Sequence, residues 1–396
     1  MTRSRAYLDH AASTPLVPEA REAWLEAAER VGNPSSLHTS GRLARRVVEE
    51  ARESVAGDLG VRPSEVVFTS GGTEADNLAV KGLAWARRDD RGARRILCSR
   101  VEHHAVLDPV AWLGENGFEV EWVPVDRFGR VDVDDLTSRL GGDVALCTVM
   151  WANNEVGTVQ PVEAIAQACE AAGVPFHSDA VQALGQLPLH GRYSGLTSLA
   201  LSGHKVGAPH GVGALVVDRD ARLVPVLHGG GQERDIRSGT VDAPSASAFA
   251  AAVAVSSRDR GEEAERIVAL RDQLIDGVLR EVPGAVLNGD PGVGSQERLP
   301  GNAHFCFPGC EGDALLMLLD AAGVECSTGS ACTSGVPEPS HVLLAMGVPE
   351  ELARGSLRFS LGRTSTCEDV EALLSALPAA VDRAARAGTV RFGQVR

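Results

Sequence analysis

Val66-Val67-Phe68-Thr69-Ser70-Gly71-Gly72-Thr73-Glu74 carries the chain from one kind of structure into another. The first four residues are β-branched or aromatic and predict a short buried strand. The glycines mark a turn, and Thr73-Glu74 opens a helical pattern that runs to about Ala84. Strand, glycine turn and helix make up half of a βαβ unit. The alternation repeats outward from there. Arg95–Ser99 predicts a strand and a helix follows from about His104. Phe118–Val123, Val144–Val149, Pro175–Ser178, Leu199–Ser202 and Val212–Val217 predict further strands, with helices in most of the gaps. Upstream, residues 17–30 form a helical stretch with Pro18 near its start, where proline is tolerated. This order predicts an α/β fold with a mainly parallel sheet covered on both faces.

After about Ala243 the texture changes. An alanine-rich stretch and a charged helix, Glu262–Glu281, precede strands at Ala303–Phe307 and Leu357–Ser360 and helices at Asp313–Ala322 and Glu368–Ala385. We expect a second, smaller α/β domain here. No internal repeat or low-complexity linker separates the two parts.

The 396 residues allow two domains, and 44% hydrophobic content is that of an ordinary globular protein. No apolar run approaches the roughly 20 residues that span a bilayer. Met1-Thr2-Arg3-Ser4-Arg5 lacks the apolar segment of a signal peptide, so a cytoplasmic location without membrane attachment is expected. A net charge of −15 argues against a broad nucleic-acid surface. The eight cysteines are scattered, without a paired CxxC or a neighbouring histidine pair. Cys306, Cys310 and Cys326 therefore predict core thiols rather than a metal site.

Only two of the 38 basic residues are lysines, Lys81 and Lys205. Arginine can supply surface charge but does not form a Schiff base. Lys81 lies on a predicted helix and reads as a surface residue. Lys205, in Ser202-Gly203-His204-Lys205-Val206-Gly207, ends a strand and enters a glycine-rich turn. It is either a surface lysine or one that bonds to an aldehyde. Asp179, in His177-Ser178-Asp179-Ala180-Val181-Gln182, ends another strand and either caps a helix or holds a protonated ring nitrogen. A Lys and an Asp at two strand ends meet the two polar requirements of pyridoxal phosphate. The turn at Thr69–Glu74 is a capped turn or a phosphate cradle. His103 and His104, after the next strand, are surface residues or groups that stack and shuttle protons. Cys332 lies in Cys326-Ser327-Thr328-Gly329-Ser330-Ala331-Cys332-Thr333-Ser334-Gly335, whose small residues predict a mobile loop and an exposed thiol. Cys326, after Val324, is expected to be packed.

Together these segments resemble the cysteine desulfurases of the class V aminotransferase family, in the group associated with iron–sulfur cluster assembly and tRNA thiolation. The resemblance runs from about Tyr7 to Ala385. It includes Tyr7-Leu8-Asp9-His10-Ala11-Ala12, Gly32–His38, Thr69–Asn77, Glu102-His103, Asn153–Gly157, Asp179–Gln182, Ser202–Lys205, His228–Glu233, Arg237–Thr240, Ser330–Ser334 and Leu357–Ser360. It implies the pyridoxal-phosphate-dependent transferase fold of type I. A large domain at 13–256 would hold a mainly parallel seven-stranded sheet, and a small domain at 1–12 and 257–396 would carry the cysteine loop.

The resemblance also implies roles. Lys205 would bind pyridoxal phosphate as a Schiff base, His103 would stack on its ring and assist proton transfer, and Asp179 would pair with its nitrogen. Asn154 and Gln182 would contact the substrate side and the ring hydroxyl. Gly72, Thr73, Ser202 and His204 would hold the phosphate, with Thr240 supplied by the second subunit of a homodimer. Arg358 would bind the carboxylate of L-cysteine, and Cys332 would take its sulfur as a persulfide for an acceptor protein, leaving L-alanine. No metal, membrane or direct nucleic-acid role is implied. A selenocysteine lyase and a simple aminotransferase are the alternatives. His210 departs from the lysine or arginine usual at its position, Cys310 is unusual in its turn, and Arg386–Arg396 holds no recognisable docking motif.

Overall fold

A computed structural model of the chain describes residues 5–189, 195–292, 297–329 and 339–392, with side chains as far as Arg386. The first strand, β1 (Ala6–Tyr7), lies apart from the main sheet. That sheet holds seven strands: β2 (Val66–Thr69), β3 (Arg95–Ser99), β4 (Glu119–Val123), β5 (Val144–Thr148), β6 (Phe176–Asp179), β7 (Ser198–Ser202) and β8 (Gly213–Val217). Their order is β2-β8-β7-β6-β5-β3-β4. Only β8 runs against its neighbours, β2 and β7, and the other pairings are parallel. Strands β5 and β7 are buried at every residue, as expected when helices cover both faces.

The helix after β2 extends to Arg91, beyond the Ala84 expected from its apolar spacing. It ends on Gly92 at φ 71°, a left-handed stop that glycine adopts without steric cost.

A second sheet contains β9 (Val286–Asn288), β10 (Asn302–Cys306) and β12 (Ser356–Ser360), with β10 central and antiparallel to both. The short β11 (Val324–Glu325) pairs in parallel with β1, so the N-terminus is stitched to this C-terminal part. One helix, Ala243–Glu281, joins the two regions, where a stretch and a separate charged helix were expected. Its first half, including Phe249 and Val253, packs in the core beneath the main sheet. Its second half, including Leu274 and Val278, packs with Phe305 and Phe359 of the smaller sheet. Alanine and serine fill the first half, so it buries a face without the spaced large residues that announce an amphipathic helix. Among the described residues, no helix is long and apolar enough to cross a membrane.

Candidate active site

Because β2, β5, β6 and β7 run in the same direction, their carboxyl ends meet at one edge of the sheet, where open α/β sheets bind ligands. A cleft of about 400 Å³ opens there. It brings together Gly72, Thr73, His103, Asn154, Asp179, Gln182, Ser202, His204, Lys205 and, from β12, Arg358.

Lys205 closes the short turn Gly203–Lys205 after β7. Its Nζ donates to the carbonyls of Ala11 at 2.6 Å and Ala12 at 2.9 Å. Burial, followed by the charge of Arg358, lowers its pKa to about 8, against the upward pull of Asp179 and Asp9. An appreciable share of the amine is therefore unprotonated near neutral pH, which suits a lysine that attacks a carbonyl.

Asp179 ends β6, and its Oδ1 accepts from Val181 N at 2.8 Å, which holds the carboxylate at the head of the next turn. Burial raises its pKa, opposed by His103, the Val181 N–H and Lys205. Gln182 donates through Nε2 to the same Ala11 carbonyl that Lys205 uses. His103 caps the helix His104–Glu115, and its Nδ1 accepts from Ala105 N at 3.1 Å, so Nε2 carries the proton of the neutral ring. Solvent reaches this ring through the cleft, but protein walls it closely enough that burial leads in lowering its pKa.

Asn153 builds the loop that presents Asn154. Its side chain accepts from the N–H groups of Glu155 and Val156 and donates to the Val101 carbonyl. The Asn154 carbonyl then accepts from Arg358 Nη1 at 2.9 Å. Arg358 is buried, with Nη2 on Asp9 Oδ1 at 2.8 Å and Nε unpartnered among the described residues. A buried guanidinium with a free N–H beside the cleft suits a carboxylate.

The helix Gly72–Arg91 points its N-terminus at the cleft. A Cβ at Gly72 would fall 2.7 Å from Val181 Cγ2, so glycine is needed for this close approach. Bare N–H groups, Thr73, Ser202 and His204, whose Nδ1 is buried and unpartnered, form a donor set that fits a phosphate. His204 stacks on His210, with ring centroids 5.0 Å apart and planes at 28°. Burial lowers its pKa to about 4, with Lys205 and His210 adding to the shift. His210 therefore supports the cradle, although its sequence position suggested no part in it.

Two expected residues are not among these. Thr240 lies in a separate hollow beside Gly32, Pro34 and Ala44, and it is exposed. Cys332 lies outside the described residues. Cys326 is buried, and burial pushes its pKa up to about 12.

The cleft also contains groups that sequence reasoning gave no role. Asp76 sits one helical turn after Gly72, on the same face, and meets His177 Nε2 through Oδ1 at 3.1 Å. Helical spacing from Gly72 was the signal that could have found it. His104, Glu155 and His341 also line the cleft; the sequence sets His104 beside His103 and Glu155 in the Asn153–Gly157 run, but nothing in it points to His341.

The aminotransferase class-V family profile matches residues 6–373. An IscS-like cysteine desulfurase of Mycobacterium tuberculosis is 57% identical, over 99% of this chain and 100% of its own length. The solved structure of a NifS-like protein superposes with a TM-score of 0.88 at 34% identity, covering 96% of this chain and 100% of that one. A structure described as SspA in complex with cysteine superposes with a TM-score of 0.78 at 32% identity, covering 91% of this chain and 100% of its own. With that coverage and that degree of identity, the chain belongs to the class V aminotransferase family, among its cysteine desulfurases.

Proposed function

We propose that this protein is a pyridoxal-phosphate-dependent cysteine desulfurase. It converts L-cysteine to L-alanine and passes the sulfur, through a persulfide on its own cysteine, to an acceptor protein. The observation that carries this reading is the convergence of Lys205, Asp179 and Arg358 in one cleft. A nucleophilic amine, a carboxylate for a ring nitrogen and a guanidinium for an amino-acid carboxylate serve this chemistry together. The names of the relatives, and the cysteine held by the SspA structure, support the substrate.

Pyridoxal phosphate, when bound, supplies an aldehyde for amines and a ring that draws electrons from the substrate Cα. Gly72, Thr73, Ser202 and His204 would hold its phosphate, Asp179 its ring nitrogen and Gln182 its ring hydroxyl. Lys205 would anchor it through Nζ and, as a free amine of pKa about 8, would accept and return the proton at the substrate Cα. His103 would stack on the ring and assist proton transfer through the hydrogen bond its Nε2–H can donate. Arg358 orients the substrate through its carboxylate, and Asn154 contacts the substrate side. Cys332, assigned from its sequence motif, would attack the substrate sulfur as a thiolate, the new S–S bond forming as the Cβ–S bond breaks and leaves its electron pair on the carbon skeleton that becomes alanine.

The separation of Thr240 from its own cleft supports a homodimer in which it serves the second copy. Val31, next in sequence to Arg30 and Gly32 of that hollow, and Leu37 are 89% and 86% exposed, apolar area that such an interface would cover. The division into domains at 13–256 and at 1–12 with 257–396 is part of the same proposal. The decisive experiment adds L-cysteine and a thiol reductant, which releases the persulfide sulfur as sulfide, to the cofactor-loaded protein and measures alanine and sulfide in equal amounts. Transamination with a keto acid instead would favour the aminotransferase alternative.

A further inference from the structure

Two imidazoles in the cleft, His104 and His341, have no part in the chemistry above. His341 opens the helix His341–Ala345, capped by Ser340, whose hydroxyl donates to Glu155. Its Nε2 lies 2.9 Å from the backbone carbonyl of Glu102. A carbonyl only accepts, so Nε2 carries the proton and Nδ1 of the neutral ring keeps a bare lone pair. Among the described residues no donor meets that lone pair.

The other three imidazoles are committed differently; His204 stacks on His210 beside the phosphate donor set. His103 already accepts at Nδ1 and turns a donor to the cleft. His104 stands edge-on to His341 at 5.2 Å, but its Nδ1 leans on Asp108, whose side chain is 74% exposed. Glu102, the partner of His341, is fully buried. His341 is thus the imidazole whose acceptor nitrogen is set by a buried contact.

The rest of the step rests on the desulfurase reading. Arg358 takes the carboxylate of L-cysteine, and the cofactor aldehyde, released from Lys205, would take its nitrogen, which fixes two substituents of Cα. His104, His341, Ser327 and Gly329 are among the other residues that line the cleft and are open to the side chain. A cysteine thiol is mostly protonated at neutral pH and has one hydrogen to give. We propose that His341 Nδ1 accepts a hydrogen bond from the substrate S–H, which makes His341 a specificity-determining residue favouring a thiol over a selenol. The more acidic selenol is ionised at neutral pH and has no hydrogen to offer.

The test compares kcat/KM for L-cysteine and L-selenocysteine in the cofactor-loaded wild type, His341→Gln, His341→Asn and His104→Asn. Glutamine keeps an N–H for the Glu102 carbonyl but places no acceptor at Nδ1. Asparagine places its carbonyl near Nδ1 and gives up the Glu102 contact. In His341→Gln the value for cysteine falls about tenfold, the size of one hydrogen bond, and that for selenocysteine changes by less than about twofold. His341→Asn recovers the preference for cysteine. Each preparation is read as a ratio of two substrates, so loss of folded protein cancels. An unchanged ratio in His341→Gln overturns the proposal. So does a ratio lost in His341→Asn but kept in His341→Gln, or one that responds to His104→Asn instead. A wild type that makes no alanine from cysteine sinks the desulfurase reading itself. Normal wild-type turnover with an unmoved ratio sinks only the role of His341.

Discussion

Arg358 Nη2 donates to Asp9 Oδ1 at 2.8 Å, joining residues 349 positions apart in the chain. The contact explains why β1 and β12 belong to one assembly: the N-terminal segment supplies a counter-charge for a guanidinium that is otherwise buried. With Nη1 on the Asn154 carbonyl as well, the planar fork is held from two sides and Nε–H is left for a ligand. A lysine ammonium cannot span both partners and still present a directed donor. Arg358→Lys is expected to raise the KM for L-cysteine at least about tenfold, the low end for a charge-assisted hydrogen bond, while cofactor absorbance is retained. Steady-state alanine formation checks this, and an unchanged KM removes Arg358 from substrate binding.

Lys205 gives the cofactor-free chain a defined pH signature. Its folded pKa of about 8 lies below the 10.5 of a free lysine, with burial the leading cause. Between those values the unfolded chain binds more protons, so this residue makes folding more favourable as pH rises from about 8 to 10.5. The charge it carries at lower pH is a burden that Lys205→Met lacks. Relative to that variant, the wild type should gain up to about 3 kcal/mol of unfolding free energy across the window. Denaturant titrations of both apoproteins at several pH values measure the difference. A flat difference would show that the amine is not depressed.

Legibility followed size and spacing. The seven strands of the main sheet were readable because buried β-branched runs stand out between glycine turns, and their edges shifted by only a residue or two. Strands β1, β9 and β11 have two or three residues, too few to show any period. Lys205 announced itself by the scarcity of lysine, and Asp179 by its place at a strand end. Asp9 and His341 did not, because they reach the cleft through the pairing of β1 with β11 and the packing of a five-residue helix. Nothing local in either segment specifies that approach.

Glu233 should be a stability residue. It begins a run of three non-glycine residues, Glu233, Arg234 and Asp235, with φ of 45°, 61° and 60°. Each such residue costs of order 1 kcal/mol or more and persists only when its surroundings hold it. Here the hold is the Glu233 carboxylate, which takes two N–H groups of Arg52 and the Phe68 amide of β2. Glu233→Gln leaves the buried Arg52 only its longer ion pair with the half-exposed Glu49 and is expected to cost about 2 kcal/mol in chemical denaturation. A loss below about 0.5 kcal/mol, the scale of a surface change, would show that the turn does not depend on this pair.

The cysteines separate by environment. Cys326 is buried with its pKa pushed up to about 12, so it has almost no thiolate at neutral pH and behaves as a small apolar side chain. Cys326→Ser should cost about 1–3 kcal/mol for burying a hydroxyl and leave turnover intact. Cys306 and Cys310 are also buried, each raised to about 11 by burial. Cys332→Ser is expected to abolish sulfide and persulfide formation while leaving the colour of the bound cofactor and its spectral response to cysteine, because those depend on Lys205, Asp179 and Arg358. Brief exposure to L-cysteine without reductant, followed by peptide mass spectrometry, reads the outcome directly. One added sulfur should map to the peptide containing Cys332 and disappear in the variant. Sulfur on Cys310 or Cys326, or continued turnover in Cys332→Ser, would move the nucleophile elsewhere and leave the family assignment untouched.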